Sequence, residues 1–318
     1  YPGHEAMIAL LLVLLLLCLL VVISSYVVYR MAFHSPNKTQ NDSYKKVGGE
    51  QYDEFREETV AMIKALDEKP CEWVSVTSFD GLKLWGRFYF GKESAPTVIC
   101  FHGYRGTDLR DFSGGASLLF DKDWNVLLIE ERGCSRSEGH AIPFGIREKK
   151  DLFSWVDYLN RRFGEEKALY LMGISMGAAT VIMASGMDTP RNLRGIVADC
   201  PYSSPYDIIR KVAVTDMNLP SFFAMPLVCL GGRLFAHIDL KKAESAAECV
   251  KRTKVPVLIL HGLADRFVPD YMSEEIYLSN PKMVQRETFP RAGHGLSFMV
   301  DRKRYTQVVN EFLDRTLL

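Results

Sequence analysis

Short apolar runs that alternate with helical patterns constrain the fold of this chain more than any other feature. Five such runs occur between residues 97 and 262: TVICFHG, NVLLIEERG, ALYLMGIS, RGIVADCP and PVLILHG. Strands that are buried on both faces are apolar throughout, and helices between them supply the crossovers of a parallel sheet. The sequence therefore predicts an α/β fold, with a mostly parallel central sheet that helices cover on both faces.

The segments around these runs extend this prediction. Two alternating segments, EWVSVTSF and LKLWGRFYF, are joined by Asp80-Gly81, which is typical of an antiparallel hairpin. Residues 201–250 interrupt the strand-helix alternation and are predicted to form a small helical cap. Helical spacing predicts helices at 53–69, 112–122, 146–163, 176–187, 271–279 and 301–315.

The N-terminus carries an apolar run without a charge, from Ala6 to Tyr29. It exceeds the roughly 20 residues that a helix needs to cross a bilayer. Ser24 and Ser25 are followed by more apolar residues, which differs from the small-residue exit of a cleaved signal peptide. We expect a single-pass membrane anchor over residues 1–33, a polar linker over 34–52 and a catalytic domain over 53–318.

The charges beside this run bear on its orientation. Four basic residues follow the run, namely Arg30, Lys38, Lys45 and Lys46, whereas the charged residue before it is Glu5. Basic residues are enriched on the cytoplasmic side of membrane helices. The sequence therefore favours a cytoplasmic catalytic domain.

Composition excludes several classes of function. The formal net charge is zero, with 39 basic and 39 acidic residues, and no basic run suggests a nucleic-acid partner. The seven cysteines include no Cys-x-x-Cys pair and are expected to be reduced thiols, which fits a reducing compartment. No metal cluster, phosphate loop or dinucleotide fingerprint occurs, so neither a metal nor a cofactor is predicted, and no protein partner is implied.

The run ALYLMGIS ends in Gly173-Ile-Ser175-Met-Gly177, and a helical pattern follows. A sharp turn between a strand and a helix holds such a serine in a strained conformation with its hydroxyl exposed. Side chains at 173 and 177 would collide with neighbouring backbone, which explains the glycines. The end of a parallel strand is also where open α/β sheets place their sites. Ser175 is therefore the predicted nucleophile.

A serine hydroxyl becomes an effective nucleophile when a histidine removes its proton and an acid orients that histidine. His294, in RAGHGLSF, follows the last predicted strand and has a glycine on each side. Asp265, in LILHGLADRFVP, is the predicted acid, and Asp199 at the end of GIVADC is the alternative.

Acyl transfer also needs hydrogen-bond donors for the oxyanion that forms on the substrate carbonyl. One donor is expected to be the backbone N–H of Met176, directly after the nucleophile. The second is expected to be the backbone N–H of Tyr104, in the loop HGYRGTD after the strand TVICFHG.

Five segments occur in the order and spacing of an α/β hydrolase: FHGYRG, ERGCSRSEG, GISMGAAT, HGLADRFVP and AGHG. The chain order Ser175, Asp265, His294 also resembles that superfamily. More narrowly, the chain resembles the membrane-anchored BEM46-like and YqkD-like serine hydrolases, in which a hydrophobic N-terminus precedes the catalytic domain. The resemblance covers roughly residues 70–318 and implies the α/β-hydrolase fold and a serine hydrolase activity.

Large apolar residues in the cap suggest a hydrophobic substrate. Phe222, Phe223 and Met225 are candidates to line an acyl pocket, and an apolar cap beside a membrane anchor favours a lipid-like or hydrophobic ester. The sequence thus predicts a carboxylesterase that works through an acyl-enzyme. Two alternatives stay open: an amidase or peptidase with the same triad, and a binding protein on a hydrolase fold.

Overall fold

The structure, a computed structural model, describes residues 2–35 and 49–317. Its centre is a sheet of eight strands in the order β1-β2-β4-β3-β5-β6-β7-β8. The strands span β1 Glu72–Thr77, β2 Lys83–Tyr89, β3 Thr97–Phe101, β4 Asn125–Glu130, β5 Leu169–Ile174, β6 Leu193–Asp199, β7 Val257–Gly262 and β8 Val284–Phe289.

The sheet is antiparallel at one edge and parallel elsewhere. β1 and β2 form the hairpin that Asp80-Gly81 predicts, and β2 pairs antiparallel with β4. From β4 to β8 every neighbouring pair is parallel. This confirms the predicted mostly parallel sheet, and it brings the carboxyl ends of β3, β5, β6 and β7 to one edge.

Helices cover the sheet, as the alternation predicts. They span α1 Pro2–Ala32, α2 Arg56–Asp67, α3 Asp108–Phe112, α4 Ser117–Asp121, α5 Glu148–Phe163, α6 Met176–Ser185, α7 Pro205–Lys211, α8 Ser221–Phe235, α9 Ala246–Val250, α10 Asp270–Ser279, α11 Ser297–Val300 and α12 Arg302–Leu317. A 3₁₀ turn, Glu50–Phe55, precedes α2, and a π turn, Val212–Asp216, follows α7.

The two faces of the sheet bury separate cores, because successive strand residues point to opposite sides. Leu171 of β5 packs into one core with Trp155 of α5, while its neighbour Tyr170 packs into the other with Phe312 of α12. Each such side chain stabilises the fold by about 1.5–3 kcal/mol when it is fully buried. Burial on both faces explains why β5 carries no charged side chain.

The predicted helix over 112–122 is wrong in one respect. Two short helices, α3 and α4, replace it, and Gly114 and Gly115 lie between them. A Cβ at Gly114 would lie 2.8 Å from the ring of Phe298, and one at Gly115 would lie 3.3 Å from the hydroxyl of Tyr305. The helical pattern is interrupted because the backbone approaches α11 and α12 closely here.

The N-terminal helix α1 is long and apolar enough to cross a membrane, with a mean hydropathy of 3.5 over its most apolar window. Its first part is exposed, whereas Ser25, Tyr29 and Phe33 near its end are buried. A Cβ at Gly231 of α8 would lie 2.5 Å from the carbonyl oxygen of Ser25. The end of α1 therefore packs tightly on α8 of the cap region.

Candidate active site

Ser175 lies in a sharp turn between β5 and α6, with φ 55° and ψ −112°. A Cβ at Gly173 would lie 2.4 Å from the backbone of Gly177, and one at Gly177 would lie 2.0 Å from the carbonyl oxygen of Phe101. Both distances are far below van der Waals contact, so both positions require glycine. The turn places the serine at the carboxyl edge of the sheet, and its backbone N–H donates to the carbonyl of Asp199 at 2.8 Å.

Three side chains from separate loops meet at this edge. Nε2 of His294 lies 2.9 Å from Oγ of Ser175, and Nδ1 of His294 lies 2.7 Å from Oδ2 of Asp265. Their chain positions are 119 and 29 residues apart, so the fold brings them together. The alternative acid, Asp199, instead has Oδ1 at 3.4 Å from the hydroxyl of Ser297.

Asp265 is held as a buried carboxylate. Its Oδ1 accepts hydrogen bonds from the backbone N–H groups of Phe267 and Val268, both at 2.9 Å. Burial by itself would raise the pKa of Asp265, but the hydrogen bonds from His261 and His294 outweigh burial and hold that pKa well below its usual range. An ionised acid favours the proton on Nδ1 of His294 and leaves Nε2 free to accept one from the serine.

The loop over residues 102–106 lies beside Ser175. A Cβ at Gly103 would lie 3.4 Å from Cβ of Ser175, and Gly103 donates its N–H to Oδ2 of Asp111 at 2.7 Å. Nε2 of His102 accepts from the backbone N–H of Glu131 at 3.1 Å, so its Nδ1 carries the proton and donates to the carbonyl of Gly103 at 2.8 Å. Burial lowers the pKa of His102 and keeps the ring neutral. These bonds fix the loop in one conformation.

A cavity of about 370 Å³ opens next to Ser175 and His294. Apolar side chains and the backbone between α3 and α4 form much of its wall. The apolar lining comprises Met62, Ile174, Phe267, Leu296, Phe298 and Met299.

The three cap residues favoured for an acyl pocket lie elsewhere. Phe222 and Phe223 are 85% and 60% exposed on α8, and Met225 is buried in the core at 3% exposure. None of the three belongs to the described lining of this cavity. The apolar pattern of α8 serves its packing on α1 and the core, which a pattern alone does not distinguish from a substrate wall.

Comparison with known proteins bears on the fold. A family model for the alpha/beta hydrolase fold matches residues 96–227. The match to this family is thus carried by residues 96–227. The chain is similar to YqkD of Bacillus subtilis, at 23% identity over 92% of this chain and 93% of YqkD. It is also similar to the thiohydrolase aneE of Aspergillus aculeatus, at 32% identity over 44% of each chain.

Among solved structures, this chain is similar in fold to the esterase Pf2001 of Pyrococcus furiosus. The two align with a TM-score of 0.64 and 22% identity, over 80% of this chain and 93% of the esterase. This likeness shows the fold. The predicted α/β-hydrolase fold is thereby confirmed.

A further segment lies at the site, although the sequence predicts it to be the end of the linker and the start of the domain. The hydroxyl of Tyr52 donates to the backbone carbonyl of His294 at 3.0 Å, and Oε1 of Gln51 accepts from the backbone N–H of His294 at 3.3 Å. Both residues lie in the turn Glu50–Phe55 and line the cavity. The predicted linker runs over 34–52; its residues 36–48 lie outside the described part of the chain. No local pattern marks Gln51 and Tyr52, because their partners are some 240 residues away.

Cys200, Asp265 and His294 bring their possible ligand atoms within 4.8 Å of one another. Burial raises the pKa of the Cys200 thiol well above its usual range, which disfavours the thiolate that metals bind. Asp265 and His294 already bind each other. The chemistry of these residues fits a hydrogen-bonded Asp265–His294 pair beside a buried thiol rather than a metal centre.

Proposed function

We propose that this chain is a serine hydrolase that cleaves carboxylic esters through an acyl-enzyme. The observation that carries the proposal is the position of His294, whose two ring nitrogens lie 2.9 Å from Oγ of Ser175 and 2.7 Å from Oδ2 of Asp265. Ser175 is the nucleophile, His294 the general base and acid, and Asp265 the residue that orients and stabilises the imidazolium.

In the first half of the reaction, Oγ of Ser175 attacks the ester carbonyl while Nε2 of His294 takes the hydroxyl proton. The carbonyl oxygen becomes an oxyanion, for which the backbone N–H groups of Met176 and Tyr104 are the proposed donors. Collapse of this intermediate breaks the bond to the alkoxy oxygen, and His294 returns its proton to the leaving alcohol.

In the second half, water attacks the acyl-enzyme. His294 takes a proton from the water, a second oxyanion forms, and its collapse releases the acid as Ser175 recovers the proton. The first residue of α6 is Met176, so the unpaired N–H groups and the positive end of this helix favour both oxyanions.

The cavity supports a hydrophobic acyl group. Its volume of about 370 Å³ lies at the small end of ligand sites, and Met62, Phe298 and Met299 line it with apolar surface. We therefore favour an acyl chain of moderate length over a long lipid chain. The partial likeness to a thiohydrolase makes thioesters with the same acyl groups the natural comparison in the assay.

We further propose that α1 anchors the enzyme in a membrane as a single span, with the catalytic domain on the cytoplasmic side. The length and apolarity of α1 support the span. In the described part of the chain, which contains all seven cysteines, none of them forms a disulfide, and this fits a reducing compartment. Protease digestion of sealed vesicles should cleave the catalytic domain when the cytoplasmic face is outward; protection in that orientation would contradict this placement.

The function is tested with the detergent-solubilised full-length chain and p-nitrophenyl esters of increasing acyl length. We expect turnover that peaks at moderate length and is lost in Ser175→Ala. Ser279→Ala, which changes a half-buried serine on α10, is the matched control and should keep full activity. Equal activity in Ser175→Ala would contradict the proposal, and faster cleavage of matched anilides than esters would favour the amidase.

A further inference from the structure

The end of α1 is bound directly by the loop over residues 102–106. Nη2 of Arg105 donates to the carbonyls of Met31 at 2.8 Å and His34 at 3.1 Å. The hydroxyl of Tyr104 donates to the carbonyl of Ala32 at 2.8 Å. The last carbonyls of a helix have no partner within the helix, and here two consecutive loop residues supply their partners.

Arg105 is specialised for this contact. It adopts a left-handed φ of 51°, which non-glycine residues rarely adopt. Its guanidinium lies over the ring of Tyr104, 4.9 Å from the ring centre. The negative end of the helix dipole also stabilises a cation at this position.

Further contacts hold the chain that leaves α1 against the catalytic domain. His34 forms an antiparallel bridge with Ala141, and the backbone N–H of Ser35 donates to the carbonyl of His140 at 3.1 Å. The ring of Phe144 stacks on Tyr104 with centres 4.9 Å apart and meets Phe33 edge-on at 5.7 Å. The helix end and the loop therefore form one packed unit.

The backbone N–H of Tyr104 lies between two points of attachment. On one side, Gly103 is fixed by Asp111 and His102. On the other side, Arg105 is fixed by the carbonyls of α1. Release of the second attachment would leave this N–H held from one side only.

We propose that α1 is a structural part of the active site, and that Arg105 is a positioning residue that fixes the Tyr104 backbone N–H through the end of this helix. This inference rests on the proposed function, in which that N–H stabilises the oxyanion. The apolar helix then has a second role besides anchoring the enzyme, because its last turn packs against the loop over residues 102–106, which carries the proposed oxyanion donor.

The test compares Arg105→Ala and Arg105→Lys in the full-length chain in detergent micelles. Active sites are counted by fluorophosphonate titration, so that misfolded protein does not enter the rate. We expect Arg105→Ala to lower kcat per active site about tenfold with KM within twofold, because an oxyanion donor is misplaced rather than removed. A trifluoromethyl ketone, which forms a tetrahedral oxyanion on the serine, should lose affinity by a similar factor, and Arg105→Lys should recover part of both.

Arg30→Ala is the matched control. Arg30 lies at the same end of α1 but donates to the hydroxyl of Tyr26, so kcat and inhibitor affinity should stay at the wild-type values. If Arg105→Ala does not accumulate as folded protein, Arg105→Lys and Tyr104→Phe decide the question by the same measurements.

The outcomes separate the two proposals. A kcat per active site within twofold of wild type in the Arg105 variants, or a change in KM alone, would overturn this inference and leave the proposed function intact. A wild-type chain that neither reacts with fluorophosphonate nor hydrolyses esters would refute the proposed function and this inference together.

Discussion

Asp265 and Asp199 both follow strand ends beside the candidate nucleophile, yet their environments differ. Asp265 binds Nδ1 of His294 and is held ionised, whereas burial raises the pKa of Asp199 to about 6. The sequence favours Asp265 because its loop is free to cross the strand ends. The carboxylate contact itself depends on the path of that loop, which no local pattern specifies.

This difference predicts unequal effects of two matched substitutions. Asp265→Asn removes the charge that orients His294 and stabilises its protonated form, and kcat should fall about 10³–10⁴-fold. Asp199→Asn should lower kcat no more than about tenfold, because the described hydrogen bonds of Asp199 are with Ser297 and Tyr305 and not with His294. Steady-state kinetics on both variants check this, and a larger loss in Asp199→Asn would reverse the assignment of the acid.

Glu148 gives the fold a pH dependence. Burial raises the pKa of Glu148 to about 7, although the nearby Arg132 opposes this shift. The folded state therefore holds its proton more tightly than the unfolded chain, and this group destabilises the fold as pH rises from about 4.5 to 7. The penalty reaches its full value above about pH 7, where Glu148 is ionised in both states, and the neighbouring carboxylate of Asp151 adds to the upward shift of this pKa.

Glu148→Gln cannot ionise and should raise Tm relative to wild type more at pH 8 than at pH 5. Thermal unfolding at both pH values measures the difference. Glu57→Gln changes an exposed glutamate and should shift Tm equally at both. A Glu148→Gln effect that is the same at pH 5 and pH 8 would contradict the buried acid.

At the scale of elements, the turn Glu50–Phe55 acts on the loop that carries His294. Tyr52→Phe removes the hydrogen bond to the carbonyl of His294 and keeps the ring in place. One hydrogen bond contributes about 0.5–1.5 kcal/mol, so kcat should fall about two- to tenfold. Tyr271→Phe, which changes an exposed tyrosine on α10, is the control and should leave kcat unchanged. A wild-type kcat in Tyr52→Phe would show that the turn covers the site without positioning His294.

The elements were predictable where local pattern and burial coincide. β3, β5 and β7 are continuous apolar runs because both of their faces are covered, and the turn at Ser175 follows from the glycines around it. The division between α3 and α4 was not predictable, since Gly114 meets Phe298 from a distant segment. Contacts between distant segments leave no periodic signal in either one.

At the scale of the whole molecule, the cavity and the cap region occupy different places. Phe222 of α8 is exposed, whereas Met299 of α11 lines the cavity beside Ser175. The sequence placed the acyl pocket in the cap because its residues are large and apolar. Which apolar helix faces the substrate is decided by how α8 packs on α1, and composition does not contain that information.

Acyl-chain selectivity should therefore respond to the cavity wall. Met299→Ala removes side-chain volume from the cavity, and the ratio of kcat/KM for longer over shorter acyl esters should rise several-fold, because each added buried CH₂ contributes about 0.8 kcal/mol. Phe222→Ala should leave the ratio unchanged. A change in this ratio in Phe222→Ala but not in Met299→Ala would indicate that the acyl group binds at the cap instead.

The central claim is that Ser175 becomes covalently acylated with help from His294. Mass-spectrometric mapping of the full-length chain after reaction with a fluorophosphonate tests it most directly. We expect a single modified residue, Ser175, and no modification in His294→Ala under the same conditions. Modification of another residue, or equal modification of Ser175 without the histidine, would refute the proposed nucleophile and its base.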